Sequence, residues 1–135
     1  MKSDIDIKDD VYKIVTASEL KSSITGTICK RQRPIYAIGS PLKEDICIAV
    51  LANQTSQLQE AFVNVNIYVQ DEDVKGQKEE NTKRLRNLCQ LSFETFKSVH
   101  GSDFRLSISE QRIVACEGTN EHIINNKILY QTIND

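Results

Sequence analysis

The nine residues Phe62-Val63-Asn64-Val65-Asn66-Ile67-Tyr68-Val69-Gln70 decide how the rest of the chain is read. Val63, Val65, Ile67 and Val69 recur with period two, while Asn64, Asn66, Tyr68 and Gln70 fill the alternate positions. That is the pattern of a strand with one face on a core and the other toward water. Just upstream, Ile46, Ile48 and Val50 alternate with Cys47, Ala49 and Leu51, so both sets are apolar. This predicts a strand in the middle of a covered sheet. Asn53-Gln54-Thr55-Ser56 supplies a turn between the two, and an antiparallel hairpin is the simplest pairing.

Toward the N-terminus, Pro34 and Pro41, with Gly39-Ser40 between them, mark a loop ahead of this hairpin. Before the loop, Thr27-Ile28-Cys29-Lys30-Arg31 can form an extended strand, and Gly26 stops what precedes it. From Ile7 to Leu20, the residues Ile7, Val11, Ile14, Val15 and Ala17 share one helical face, with Asp9 and Asp10 suited to its N-terminal end. Toward the C-terminus, Asp71 to Glu80 reads as a charged connection. Asn81 or Thr82 then caps a helix whose apolar face is Leu85, Leu88, Cys89, Ser92, Phe93 and Phe96. His100-Gly101-Ser102 ends that helix. Phe104, Leu106 and Ile108 restore period two, and Ile113 to Cys116 either extends or pairs with that strand. Gly118-Thr119-Asn120 is a turn, and His122 to Ile133 is a closing strand with Ile124, Ile128 and Tyr130 on one face.

The order α-β-β-β-α-β-β predicts an α+β fold, an antiparallel or mixed sheet with two helices packed on one face. At 135 residues the chain is one domain's worth, residues 1–135, and its 39% hydrophobic content lies at the lean end for a packed core. Its 17 Lys and Arg against 19 Asp and Glu leave a formal charge of −2, without the positive excess that a dedicated nucleic-acid binder uses to displace counterions. No apolar stretch approaches a membrane span, and the start Met1-Lys2-Ser3-Asp4-Ile5-Asp6 is charged at once, unlike a secretion signal. The expectation is therefore a chain made inside the cell. Cys29, Cys47, Cys89 and Cys116 include no C-x-x-C pair and predict free thiols, mostly buried.

No catalytic signature is visible. The glycines are isolated from one another, so no Gly-rich loop can ring a phosphate with backbone amides. His100 reads as a helix-terminal capping residue and His122 as a structural residue on a strand. Cys116, Glu117, Glu121 and His122 mix soft and hard ligands without anchoring spacing, so neither a metal nor any other cofactor is expected. Asp71, Glu72 and Asp73 lack the calcium-loop pattern and read first as a solvated loop, then as a partner-binding one. Lys30-Arg31-Gln32-Arg33-Pro34 reads as a charged edge that discourages strand addition, or as a contact for phosphates or an acidic protein surface. The polar strand faces, Asn64, Asn66, Tyr68 and Gln70 with Asn125, Lys127 and Gln131, suit either solvent or a wet protein contact.

Several local phrases resemble the small tail-completion, tail-terminator and head-to-tail joining proteins of tailed bacteriophages and prophages. Val11-Tyr12-Lys13-Ile14-Val15, followed by Leu20, Ile24, Gly26 and Ile28, is similar to that family's opening helix, turn and first strand. Pro34 before the hairpin, the helix Leu85 to Phe96, and the closing strand from His122-Ile123-Ile124 to Ile133 follow in the same order. The chain departs from the family in having no tryptophan and in the polar character of Asp71 to Glu80.

The resemblance implies a structural, non-enzymatic protein of virion assembly: a homo-oligomeric ring subunit, six to the ring. It would sit at the end of a tail tube or between tail and head connector, with other tail or connector proteins as partners. It would be made in the bacterial host cytoplasm and end in the virion tail or neck. A ring needs one subunit surface to complement a different one on its neighbour, and Lys30, Arg31 and Arg33 against Asp71, Glu72 and Asp73 form a candidate contact. Two other readings remain open: a non-catalytic adaptor that binds a protein or peptide on its polar sheet face, and a small enzyme if His100, Cys116, Glu117 and His122 converge.

Overall fold

The structure, a computed structural model, describes residues 1–133. Helix α1 (Asp4–Thr16) opens on a reciprocal cap: the Ser3 hydroxyl accepts from the Asp6 amide, and the Asp6 carboxylate accepts from the Ser3 amide. The single helix expected from Ile7 to Leu20 is instead two, because α2 (Glu19–Ser23) starts afresh with Ser18 as its N-cap. The cause is local. The hydroxyls of Thr16 and Ser18 donate to the carbonyls of Tyr12 at 2.9 Å and Val15 at 2.6 Å, closing the first helix, and the new start leaves Leu20 fully buried.

The strands are β1 (Ile28–Cys29), β2 (Ile46–Gln54), β3 (Leu58–Gln70), β4 (Glu72–Val74), β5 (Gln77–Glu79), β6 (Val99–His100), β7 (Phe104–Cys116) and β8 (Glu121–Ile133). Helix α3 (Thr82–Phe96) lies between β5 and β6, N-capped by Asn81, which accepts from the Arg84 amide. Six strands form one sheet in the order β1-β2-β3-β8-β7-β6, parallel only at β1–β2. The fold is α+β, and β2 and β3 pair antiparallel as the short polar connection between them predicts.

The core lies on one side of this sheet. Val63, Val65, Ile67 and Val69 of β3 join Ile124, Ile128 and Tyr130 of β8 there, under Ile7, Val11 and Val15 of α1, Leu20 of α2, and Leu85, Leu88 and Phe96 of α3. Two of the buried polar groups in this layer, Asn126 and Ser92, satisfy each other. Asn126 donates to the Ser92 hydroxyl at 3.1 Å and accepts from Gln111 at 2.9 Å, while Ser92 donates to the Leu88 carbonyl.

Two bulges explain where the period-two reading slips. In β2 the register jumps between Val50 and Ala52, leaving Leu51 as the extra residue, so even-numbered positions face the core before it and odd ones after it. The segment is therefore not a two-sided buried strand: Ala49 and Leu51 are exposed. In β7 the jump falls between Ile108 and Glu110, which keeps Phe104 to Cys116 one continuous strand. The connection Asp71 to Glu80 contains the hairpin β4–β5, whose turn residues Lys75 (φ 52°) and Gly76 (φ 84°) both take the left-handed conformation of a type I′ turn. Helix α3 stops at Phe96, so His100 does not cap it; His100 belongs to β6 and pairs with Arg105.

Candidate assembly surface

The loop from Lys30 to Glu44 leaves β1, crosses the sheet face opposite the helices and returns into β2. It is held there by Arg33. The guanidinium donates from Nε to Asp45 Oδ2 at 2.8 Å, and from Nη1 and Nη2 to the two oxygens of Glu121 at 2.9 and 2.6 Å. A third partner is the Lys43 carbonyl at 2.7 Å. Its flat face lies 4.2 Å from the centre of the Tyr68 ring. Tyr36, from the same loop, donates to Asp45 Oδ2 at 2.5 Å, and Thr27 donates its amide to Asp45 Oδ1 at 2.8 Å.

Both carboxylates are fully buried, and this geometry sets the charge balance. Burial pushes the Asp45 carboxyl up, but the bonds from Arg33, Tyr36 and Thr27 together outweigh it and hold Asp45 below the usual carboxylate value. Tyr36 is pushed up to about 12 by burial and by the Asp45 carboxylate it donates to. Gly26 belongs to the same construction. Its amide donates to the Glu44 carbonyl at 2.9 Å, and a Cβ there would lie 2.2 Å from Asp45 Oδ1.

The residues singled out in the sequence are thus distributed differently from the expectation. The basic run Lys30 to Arg33 is not on a strand, since β1 ends at Cys29. Arg33 is turned into the fold rather than toward a neighbour. Lys30 pairs with Asp9 at 3.0 Å, and Arg31 makes no ion pair among the described residues. On the acidic side, Asp71 accepts or shares a proton with His122 Nδ1 at 2.7 Å, Asp73 pairs with Lys78 at 3.1 Å, and Glu72 is exposed. The polar sheet face satisfies much of its own hydrogen bonding: Asn125 donates to Asn66 at 2.7 Å, Gln131 to Glu60 at 2.8 Å, and Lys127 lies over the Phe62 ring.

His100, Cys116, Glu117 and His122 do not converge. His100 pairs with Arg105, which is opposite Gln131, whereas Cys116 is opposite Glu121 at the other end of β8. Ten residues of strand separate these ends, roughly 33 Å at about 3.3 Å per residue. Alternation then sends Glu121 and His122 to opposite faces of the sheet, and no group of three or more metal-ligating side chains is found among the described residues.

Two strand edges of the sheet are left open. Among the described residues, the outer edge of β2 has no ladder partner from Ile48 to Gln54, and that of β7 has none from Ser107 to Cys116. Each edge carries exposed apolar side chains: Leu51, 56% exposed, on β2, and Ile113 and Val114, 45% and 39% exposed, on β7. The β2 edge, Ile48-Ala49-Val50-Leu51-Ala52-Asn53-Gln54, contains no charge and no proline. The tip of the Arg33 loop adds Ile35 and Ile38, which are 92% and 106% exposed.

No protein-family model matches the chain, and no curated protein matches it. Its site is therefore read from its own residues. Asp45, Glu121 and Tyr36 were not recognisable as partners of Arg33 in the sequence; the one available signal is an aspartate abutting the apolar run Ile46 to Leu51. Ile35 and Ile38 had a clearer one, an apolar pair inside a loop bounded by prolines.

Proposed function

We propose that this chain is a structural subunit of a head-to-tail ring, of the tail-completion or head-to-tail joining kind found in tailed bacteriophages and prophages. One observation carries the reading. The two unpaired edges lie on opposite sides of the sheet, and β2 runs antiparallel to β7 because three antiparallel pairings separate them. A second copy placed beside the first in the same orientation would present its β2 to the β7 of its neighbour with the direction an antiparallel ladder needs. That is a heterologous contact, the kind that closes into a ring when the rotation per subunit allows it. The order of elements and the resemblance of the opening helix, hairpin and closing strand to the tail-completion proteins give the ring its proposed place.

The test is absolute mass in solution, by light scattering after size exclusion, across protein and salt concentrations, followed by electron microscopy of the largest species. A closed ring, or a ring that appears as concentration rises, supports the reading. A monomer at every concentration, alone and with isolated tail tubes, overturns it and favours the adaptor. The adaptor would use the uncovered sheet face, where Phe62 and Lys127 lie.

A further inference from the structure

Cys29 and Cys47 are register partners across the parallel pair β1–β2. Directly opposed residues of neighbouring strands place their side chains on the same sheet face, and strand spacing, about 4.8 Å, falls within the Cα separation that a disulfide spans, about 4.4–6.8 Å. Both residues are half-buried free thiols. The other two cysteines are not alternatives. Cys89 faces the core from α3, and Cys116 on β7 lies three strands from β2, about 14 Å at that spacing.

We propose that Cys29 and Cys47 are a redox pair that closes into an intrachain disulfide when the protein meets a small-molecule disulfide oxidant. The thiol of Cys47 is pushed up to about 12, by burial first and then by the neighbouring Cys29, so it supplies little thiolate. Cys29 is therefore the attacking group. Oxidised glutathione is such an oxidant. The Cys29 thiolate attacks one sulfur of the oxidant, forming a mixed disulfide and releasing one thiolate, which takes up the proton that Cys29 gave. Cys47 then loses its proton and attacks the Cys29 sulfur, expelling the second thiol. In total two cysteine thiols are oxidised by two electrons, and one glutathione disulfide is reduced to two glutathione molecules.

The bond would tie together the two ends of the loop that carries Arg33 and the exposed Ile35 and Ile38. A thiol pair at that place makes the stiffness of the loop depend on the redox state around it.

The experiment treats the full chain with oxidised glutathione, quenches in acid, alkylates under denaturing conditions and measures intact mass, with peptide mapping to locate the unlabelled residues. The expected result is a fall from four alkylated cysteines to two, with Cys29 and Cys47 joined within one chain and Cys89 and Cys116 still labelled. Cys47→Ser is expected to trap a stable glutathione adduct on Cys29, and Cys116→Ser to leave the two-thiol loss unchanged. Retention of four alkylated cysteines in the wild-type chain overturns the proposal, as does a bond between chains or an adduct on Cys29 that Cys47 never displaces. The wild-type count decides even if a variant does not fold.

Discussion

Arg33 and Glu121 are 88 residues apart in the chain, yet they meet through two parallel hydrogen bonds of 2.9 and 2.6 Å. The bidentate geometry is the strong form of an arginine–carboxylate pair, and here it joins the loop before β2 to the first residue of β8. Asp45 is the second carboxylate on the same cation, so one guanidinium is shared between two buried carboxylates. A loop that would otherwise be a long irregular connection is thereby held against the sheet.

Removing the cation should expose how much depends on it. Arg33→Ala leaves Glu121 buried without its arginine partner and Asp45 with only Tyr36 and Thr27 as donors, and we expect a loss of about 3–5 kcal/mol in chemical denaturation. Arg33→Lys should recover only part, since one ammonium cannot reproduce the fork that reaches both carboxylates and lies on Tyr68. Equal stability of the alanine variant and the wild type would show that the network contributes nothing.

The acid limb of the stability curve carries a second expectation. Asp45 titrates below its unfolded value, so the folded state binds fewer protons as pH falls through the normal carboxylate range. Its contribution is complete above about pH 4 and is lost as pH drops toward the depressed folded value. Asp45→Asn should be less stable than the wild type at neutral pH and should lose less stability on acidification. Parallel pH profiles for the two proteins would count against this.

Gly26→Ala tests the close approach at the mouth of the loop. A methyl group there would press on the Asp45 carboxylate and on the Glu44 carbonyl, 2.2 and 2.5 Å away, and neither can retreat without breaking the network. A loss of about 1–3 kcal/mol is expected in urea denaturation. An unchanged midpoint would mean that the backbone yields easily.

The open edges can be tested without touching the core. Leu51→Lys and Val114→Lys each place a charge on an exposed edge position and should leave the circular dichroism spectrum unchanged. Each should weaken self-association by about tenfold or more, equivalent to about 1.4 kcal/mol, in concentration-dependent light scattering. Association that is insensitive to both substitutions would move the contact away from β2 and β7.

Much of the α+β fold was legible because periodicity is a local property. Val63 to Val69 reads as a one-sided strand, and Leu85, Leu88, Cys89, Ser92, Phe93 and Phe96 as a helical stripe, wherever they occur in space; both face the core as read except at Phe93, which lies at the rim of the stripe and is 41% exposed. The reading faltered where one residue changes the phase. Leu51 and Ser109 are bulged, and the pattern on either side of each is regular but displaced by one. It also faltered at Thr16 and Ser18, whose hydroxyls end a helix that the apolar spacing alone would carry on.

The candidate site was less legible. Charge placed Arg31 and Glu72 on the surface, but the same reasoning put Arg33 there, although its neighbours Lys30 and Arg31 look no different in sequence.

By itself the sequence determined the long strands and the main helices and which of their faces are apolar, because these follow from residue types at short spacing. Only the tertiary structure decided that Arg33 turns inward to Asp45 and Glu121, that Cys29 stands beside Cys47, and that β2 and β7 end as open edges. Those outcomes depend on which strands become neighbours. Strand order is settled by long-range packing of faces that look alike in sequence, so no local pattern records it.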